Sequence, residues 1–471
     1  MAGRSGAPCV LIENPYLEYG AEFVSHLYLT YGIPSLCFYT DRAEKLARRS
    51  APAVPGSILA EVETSVENLD DVAHLAAANY APVAVVPFNE TAVLPALYLA
   101  MRLRLDWAQP AVTPMFRNKY SLKSYIRRVN PALRMNASTL VATLEDVLEA
   151  RRNGRYRRFI LKPNAGYGNQ RIAFFSGPFR ASAVAEYLNE QSGTPVVMED
   201  FIDGVEYFVN GQTDHAGRVE ILGIFLYVRD AANGRHNIDT ETVLVRQGSH
   251  AFNLLEHYVR ELIHTTGLKR SPFHVEIKID HRGACLIEAA ARLAGHGNAF
   301  LCGELHGRRS FLIELASHFY LHGFAFGGPS TDWPRYNAHA FRYVHGIAYA
   351  TQRLYSVGGL PQVEALPQFY EWVLRPVVGA RIVKTTDCLK MPWSMLLRGG
   401  SDHELQIAAK HARELIRYND RVGLRDRLRV LFMYLLPRAA AKLVRGARLH
   451  LGSRTRAPRA PAEVSEGVHG A

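Results

Sequence analysis

The chain has 471 residues, 48% of them hydrophobic and 21% charged. That is the make-up of a globular protein with room for roughly two to four domains. Five cysteines (Cys9, Cys37, Cys285, Cys302, Cys388) are odd in number and form no Cys-x-x-Cys; this speaks against a disulfide framework or a cysteine zinc site and for a reducing, cytoplasmic setting. The net charge of +11 does not argue for a nucleic-acid partner, because from Arg421 onward eleven basic residues meet three acidic ones and the body before them is close to neutral. The first residues carry one arginine and no long apolar region, unlike a signal peptide, and no run of eighteen apolar residues predicts a spanning helix.

Residues 8 to 112 alternate in type. Strands are expected at Pro8–Asn14, Pro34–Thr40, Ser57–Glu63 and Val83–Asn89. Helices are expected from about Glu18 to Tyr31, Asp41 to Arg49, Val66 to Asn79 and Thr91 to Leu105. Such alternation predicts a parallel sheet with right-handed crossovers. The first strand runs into Asn14-Pro15-Tyr16 rather than a Gly-x-Gly-x-x-Gly turn, so the sheet is Rossmann-like without the dinucleotide fingerprint.

A Pro-bearing linker, Gln109 to Met115, leads to a basic helix, RNKYSLKSYIRR, carrying Lys119. By itself that lysine reads as solvated surface. A helix is expected from Leu140 to Arg152, and then comes RRFILKPNAGYGNQRIAFF, Arg157 to Phe175. Here a short strand delivers Lys162, breaks on Pro163 and resumes at Arg171, which predicts a hairpin. Gly166 and Gly168, either side of Tyr167, bare the backbone so that successive N–H groups can face an anion. No Gly-Lys-Ser/Thr follows, so this is not a Walker loop.

After a helix at Ala181–Glu190, VVMEDFIDGVEYFVNG reads as strand, turn at Asp203-Gly204, and strand. Glu199 and Glu206, seven apart across that turn, can line one cleft. A long strand, Arg218 to Asp230, is followed by a polar stretch from Ala231 to Asp239 that reads as a mobile loop and candidate lid.

In PFHVEIKIDHRGACLIEAAARLAGHGN, Pro272 to Asn298, alternation puts His274, Glu276 and Lys278 on one face. A three-residue loop, His281-Arg282-Gly283, would pair Asp280 with Ala284 and set Glu276 opposite Glu288. Facing carboxylates ~5 Å apart repel by roughly 3 kcal/mol at an effective dielectric of ~20. A divalent cation would offset that, and a lysine such as Lys278 is the plainer alternative. Arg292, four residues past Glu288, would add a fixed cation. The histidines show no ligand pair and read as packing or polar residues. A helix is expected at Arg309–His322, a boundary at Gly327–Thr331, and a small α+β unit with a helix from Asp402 to Arg417. The tail pairs an apolar patch, Leu431 to Leu436, with arginines, suited to an anionic membrane surface or to the protein's own body.

In their order these pieces resemble the ATP-grasp ligases, and among them the carboxylate–amine group typified by L-amino-acid (dipeptide) ligases, over roughly residues 8 to 420. The resemblance implies an α/β and α+β multidomain chain. Residues 1–112 would be a Rossmann-like domain, 113–328 the ATP-grasp domain, 329–420 a small C-terminal α+β domain, and 421–471 a basic amphipathic tail. It implies ATP contacts at Lys119, Lys162, the loop with Gly166, Tyr167 and Gly168, and the hinge residues Glu199, Asp200, Ile202 and Glu206. Magnesium or manganese would sit on Glu276 and Glu288, with Arg292 as the catalytic arginine. Many members read Glu-x-Asn after the second metal carboxylate, and here that position is Ala290. The implied activity joins a carboxylate, such as an amino acid, to an amine through an acyl phosphate, forming ADP and phosphate. Alternatives are biotin-carboxylase-like or purine-pathway chemistry, or a non-catalytic ATP-binding, membrane-associated scaffold. No nucleic-acid partner is expected; a peripheral membrane contact through the tail and a homodimer are compatible with the chain.

Overall fold

The computed structural model describes residues 6–15, 20–40, 53–105, 108–152, 156–166, 171–191, 193–295, 301, 304–307, 331–388, 390–420 and 422–435. Strands β1 (Ala7–Glu13), β2 (Ser35–Tyr39), β3 (Ile58–Glu63) and β4 (Tyr80–Val86) form a parallel sheet in the order β3-β2-β1-β4. In β1 alternate side chains leave by opposite faces. Val10 and Ile12 pack with Phe23, Val24 and Leu27 of the helix Gly20–Tyr31. Cys9 and Leu11 pack with Val72 and Ala76 of Leu69–Asn79 and with Leu99 of Val93–Arg102. Burial on both faces is why this strand reads as a continuous apolar run. The helix expected from Asp41 to Arg49 lies outside the described residues.

A second sheet holds β5 (Ser138–Val141), β6 (Arg158–Pro163), β7 (Ala173–Ser176) and β8 (Val196–Asp200) in the order β5-β8-β6-β7. The expected hairpin is present as β6 and β7, with Phe159 opposite Phe175. The helix expected from Leu140 begins only at Leu144, and Leu140 and Val141 belong to β5. The reason is a capping box: Thr143 Oγ1 accepts from the Asp146 N–H at 3.2 Å, and Asp146 Oδ2 accepts from the Thr143 N–H at 2.8 Å, which fixes where the helix can start.

The third and largest sheet contains β9 (Val205–Thr213), β10 (Val219–Ala232), β11 (Arg235–Leu244), β12 (Ser271–Asp280), β13 (Gly283–Ala290) and β14 (Ala340–His345). Its order is β13-β12-β9-β10-β11-β14, continued by the strands Ser394–Gly399 and Phe369–Leu374. The C-terminal residues thus extend the central sheet. Helix His250–Thr266, capped by Ser249 and ended by Gly267 in the left-handed region, packs Phe252, Leu255, Val259 and Leu262 into the core with Val209, Ile224, Phe273 and Val275. Spacings of three and four give that helix one apolar stripe.

Three sequence expectations change here. Strands β8 and β9 belong to different sheets, so the turn expected at Asp203-Gly204 is part of a strap between sheets, Phe201 to Gly204. Gly204 is required there: a side-chain carbon would stand 2.4 Å from the Ile279 carbonyl oxygen. The stretch Ala231–Asp239 is no mobile lid. It is the end of β10, a turn at Asn233 and Gly234 with φ of +56° and +79°, and the start of β11. Asn-Gly is the residue pair that such a two-residue hairpin turn favours. Asn233 Nδ2 also donates to the carbonyls of Ala348 at 3.0 Å and Thr385 at 2.8 Å, which pins the tip to the C-terminal residues. Finally, Asp280 pairs with Gly283, not Ala284, and a bulge at Ile287 restores the count, so that Glu276 still faces Glu288. The helix at Arg309–His322 and most of the boundary at Gly327–Thr331 lie outside the described residues.

Candidate active site

The strap between the two sheets borders a cavity of about 580 Å³. Ile160, Phe174, Phe201, Ile202 and Val205 give it an apolar end; Lys162, Glu199, Glu206, Arg229, Glu276 and Glu288 line the rest, together with Asp200 and Tyr227. A concave site with an apolar floor and a few convergent charges suits a small ligand with an aromatic body and an anionic end.

At its centre Glu199, fully buried at 0% exposure, is bonded by two lysines. Lys162 of β6 stands 3.1 Å from Glu199 Oε2. Lys123, four residues after Lys119 on the helix Lys119–Val129, stands 2.8 Å from the same oxygen. Asn136 binds both, accepting from Lys123 at 2.9 Å and donating to Glu199 at 3.2 Å. Burial works against charge in each of these groups, and the outcome differs. It pulls the Lys123 ammonium down to about 8 despite Glu199. In Lys162 the carboxylates of Glu199, Glu288 and Glu276 outweigh burial and raise the ammonium's pKa. Glu199 itself is held at about 2 by the two lysines against its burial. Its Oε1 has no hydrogen-bond partner among the described residues.

Lys123 is absent from the sequence-derived site, though the sequence holds its signal. Lys119 and Lys123 are one turn apart on one helix face, and a lysine at 1% exposure with a carboxylate partner is a rarity that marks a site. Lys119 sits farther out, donating to the Gly166 carbonyl at 2.7 Å and approaching Glu288 Oε2 at 3.1 Å. It therefore ties the start of the glycine loop to the second facing carboxylate. Tyr167 and Gly168 lie outside the described residues.

Along the strap, Asp200 and Ile202 line the cavity, and burial raises the Asp200 carboxyl. Glu206 is held by Arg229 at 2.6 Å, with Lys278 at 3.6 Å. Lys278 therefore serves Glu206 and not the facing pair. Arg229 also pairs with Asp239 at 3.0 Å. Burial is the main cause that lifts the Asp239 carboxyl to about 6, against the pull of Arg229.

At the far end Glu276 and Glu288 face each other across β12 and β13. The bulge turns the Ile287 carbonyl toward Lys162, 3.4 Å away, a re-aiming that bulges commonly perform near sites. Two carboxylates in register, lining the same cavity, form a hard oxygen donor set of the kind magnesium shares with phosphate oxygens and water. Among the described residues no group of three or more His, Cys, Asp or Glu could hold a metal alone; the remaining positions would fall to a nucleotide and water. Arg292 does not line the cavity. It pairs with Glu90 of the N-terminal region, which Arg117 also meets, and it donates to the Leu293 carbonyl at 2.8 Å. Burial opposes the charge of Glu90, but Arg292 and Arg117 outweigh it and keep the carboxyl below its usual range.

Comparison with known proteins agrees with this geometry. Residues 159–299 match the model of an ATP-grasp domain. Dapdiamide A synthase from Enterobacter agglomerans is 27% identical over 125 residues, which are 26% of this chain and 29% of that relative's length. Among solved structures, L-amino acid ligase from Bacillus licheniformis superposes with a TM-score of 0.67 at 17% identity, covering 89% of this chain and all of the other. N5-carboxyaminoimidazole synthetase from Staphylococcus aureus with ADP reaches 0.61 at 11% identity over 87% and 97%. Biotin carboxylase from Campylobacter jejuni reaches 0.59 at 12% over 87% and 91%. Residues 159–299 thus match an ATP-grasp domain, and the chain shares the fold of these solved structures.

Proposed function

We propose that the chain is an ATP-dependent carboxylate–amine ligase that forms ADP and phosphate, with an amino acid as the carboxylate substrate. The observation that carries the reading is the single cavity lined by the strap, Lys162 and the facing pair Glu276 and Glu288. Adenine fits the apolar end beside Asp200 and Ile202, where Glu199 Oε1 offers an acceptor to an exocyclic amine. Glu206 is placed to accept from a ribose hydroxyl. Lys119 and Lys162 neutralise the phosphates, the main demand of phosphoryl transfer. Magnesium on Glu276 and Glu288 would neutralise the γ-phosphoryl as it moves.

The γ-phosphorus–oxygen bond to ADP breaks as a carboxylate oxygen of the substrate bonds to phosphorus, giving an acyl phosphate. An amine nitrogen then attacks the acyl carbon, loses its proton to water, and phosphate leaves with the pair from the carbon–oxygen bond. In this reading Arg292 leaves Glu90 to steady the oxyanion, so Glu90 would hold it in reserve until substrates arrive. The test is to follow ADP and phosphate release across amino-acid pairs. Release that needs both a carboxylate and an amine supports the reading; AMP and pyrophosphate overturn it, and release requiring bicarbonate in place of an amino acid favours carboxylase-type chemistry.

The basic tail reads as a contact with anionic surfaces. Leu424, Leu428 and Phe432, at 72%, 42% and 61% exposure, stand on one side of the helical stretch Leu424–Leu435 beside the exposed Arg425 and Arg429, the pattern of a surface-seeking helix. Salt-sensitive binding to phosphatidylserine vesicles that is lost on truncation at Arg421 supports it. No helix among the described residues is long and apolar enough to cross a membrane.

A further inference from the structure

Glu276 is the one member of the facing pair with a built support. His274 lies two residues earlier on the same face of β12 and is 9% exposed. Its Nε2 stands 3.5 Å from Glu276 Oε1. From β10, on the far side of β9, the Tyr227 hydroxyl donates to the same oxygen at 3.4 Å. Both contacts fall on Oε1, and among the described residues no hydrogen bond or ion pair reaches Oε2. On its far side the imidazole Nδ1 lies 2.8 Å from the Asn210 side-chain amide on β9, and its ring packs on Phe208 with centroids 5.3 Å apart.

The orientation of Asn210 decides which imidazole nitrogen carries the proton. With Oδ1 toward the ring, Nδ1 must be the donor, and Asn210 Nδ2 is then buried without a partner among the described residues. With the amide turned about, Nδ2 donates to Nδ1 across the same 2.8 Å. The ring proton then sits on Nε2 and points at Glu276. That arrangement satisfies a buried donor. Chains of this kind, in which an outer residue fixes a tautomer and the ring fixes a ligand, orient metal-binding side chains. Among the described residues Glu288 has nothing comparable, its one ion pair being with Lys119.

We propose that His274, with its tautomer set by Asn210, is a positioning residue that holds Oε1 of Glu276 through Nε2–H and so leaves Oε2 aimed for a divalent cation. The inference rests on the ligase reading, in which Glu276 is a metal carboxylate.

The test titrates magnesium against thermal stability at fixed ATP, a binding readout independent of turnover. His274→Gln keeps a donor where Nε2 stood, whereas His274→Met fills the volume without one. The glutamine variant is expected near the parent, and the methionine variant should need about 10- to 100-fold more magnesium. Should His274→Met fail to fold, Asn210→Ala asks the same question from the other side of the ring, with the same direction of shift expected. Equal magnesium dependence in the parent, the methionine variant and Asn210→Ala overturns the inference and leaves the ligase reading intact. A parent whose ATP complex magnesium does not stabilise overturns the ligase reading itself.

Discussion

Two carboxylate sites share one cavity and differ in how their charge is met. Glu199 is sealed from solvent and bonded by Lys123, Lys162 and Asn136. Glu276 and Glu288 face each other across the ladder, 13% and 30% exposed, with Lys119 between Glu288 and the glycine loop. The first is an ion cluster, centred on Oε2 of Glu199, that fixes where two lysines stand. The second is met by Lys119 at Glu288 and by His274 and Tyr227 at Glu276, and on the ligase reading it is the pair that takes a cation. Desolvation explains why: a buried charge is tolerable only when paired, whereas a partly hydrated pair can remain unbalanced until a cation arrives.

The sharpest way to break this contrast is Glu288→Gln. On the ligase reading it removes one of two metal charges and should lower turnover by about a hundredfold or more, read as ADP release, while the melting temperature without ligands stays close to the parent. Relief of the repulsion with Glu276 and loss of the partner of Lys119 act in opposite directions on stability. Full activity in this variant would end the distinction between the two sites.

Glu199→Gln should do the reverse, acting on the fold first. It leaves Lys123 and Lys162 buried with no carboxylate between them, and breaking a buried pair costs about 3–5 kcal/mol. Urea denaturation measures that loss. A change below about 1 kcal/mol would mean that solvent reaches the cluster and that it is no more sealed than the facing pair.

How much of this was legible without coordinates follows from the kind of signal each feature leaves. The parallel sheet was legible because strands and helices alternate along residues 8 to 112, and such alternation needs crossovers between parallel strands. The facing of Glu276 and Glu288 was reached through a register that is wrong in detail: the turn is one residue shorter than expected, and the bulge at Ile287 makes up the difference. Bulges leave no mark in an alternation of this length. Lys123 was passed over because full burial of a lysine is set by Glu199 and Asn136, 76 and 13 residues away in sequence. The Asn233-Gly234 turn was legible and misread, since polar residues also suit a loop. That Arg292 meets Glu90, 202 residues earlier, is a contact between regions that no local pattern carries.

The pH dependence of stability should sharpen the comparison. Glu199 and Glu276 are held at about 2, below the ordinary 4.5. Their contribution is therefore present above pH 4.5 and is lost as pH falls toward 2. Asp239, raised from 3.8 to about 6, has the opposite sign: its contribution is complete below pH 3.8 and fades as pH rises through 6. Asp239→Asn should remove the fading between pH 4 and 6 in melting curves, and leave the acid-side loss in place. If the variant instead keeps the fading between pH 4 and 6 and loses less on the acid side than the parent, the buried carboxyl was ionised throughout and Arg229 outweighs its burial.

Ala290→Asn should have the smallest effect and probes the open site most finely. Ala290 is 6% exposed and directly opposite His274 in the ladder, while alternation puts it on the face of Glu288. An asparagine there would bring an amide oxygen beside the facing carboxylates and tighten magnesium in the ATP complex a few-fold. It must also fit a filled space, at about 1–3 kcal/mol of crowding, so the protein without ligands should melt a few degrees lower. The two readouts together carry the test. Tighter magnesium with a lower melting point identifies the position as an inward one that alanine leaves unused. Weaker magnesium would mean that the new side chain has pushed His274 away from Glu276. In that case Ala290→Asn should have no further effect on magnesium in a His274→Met background, since neighbouring residues that act through one contact do not add.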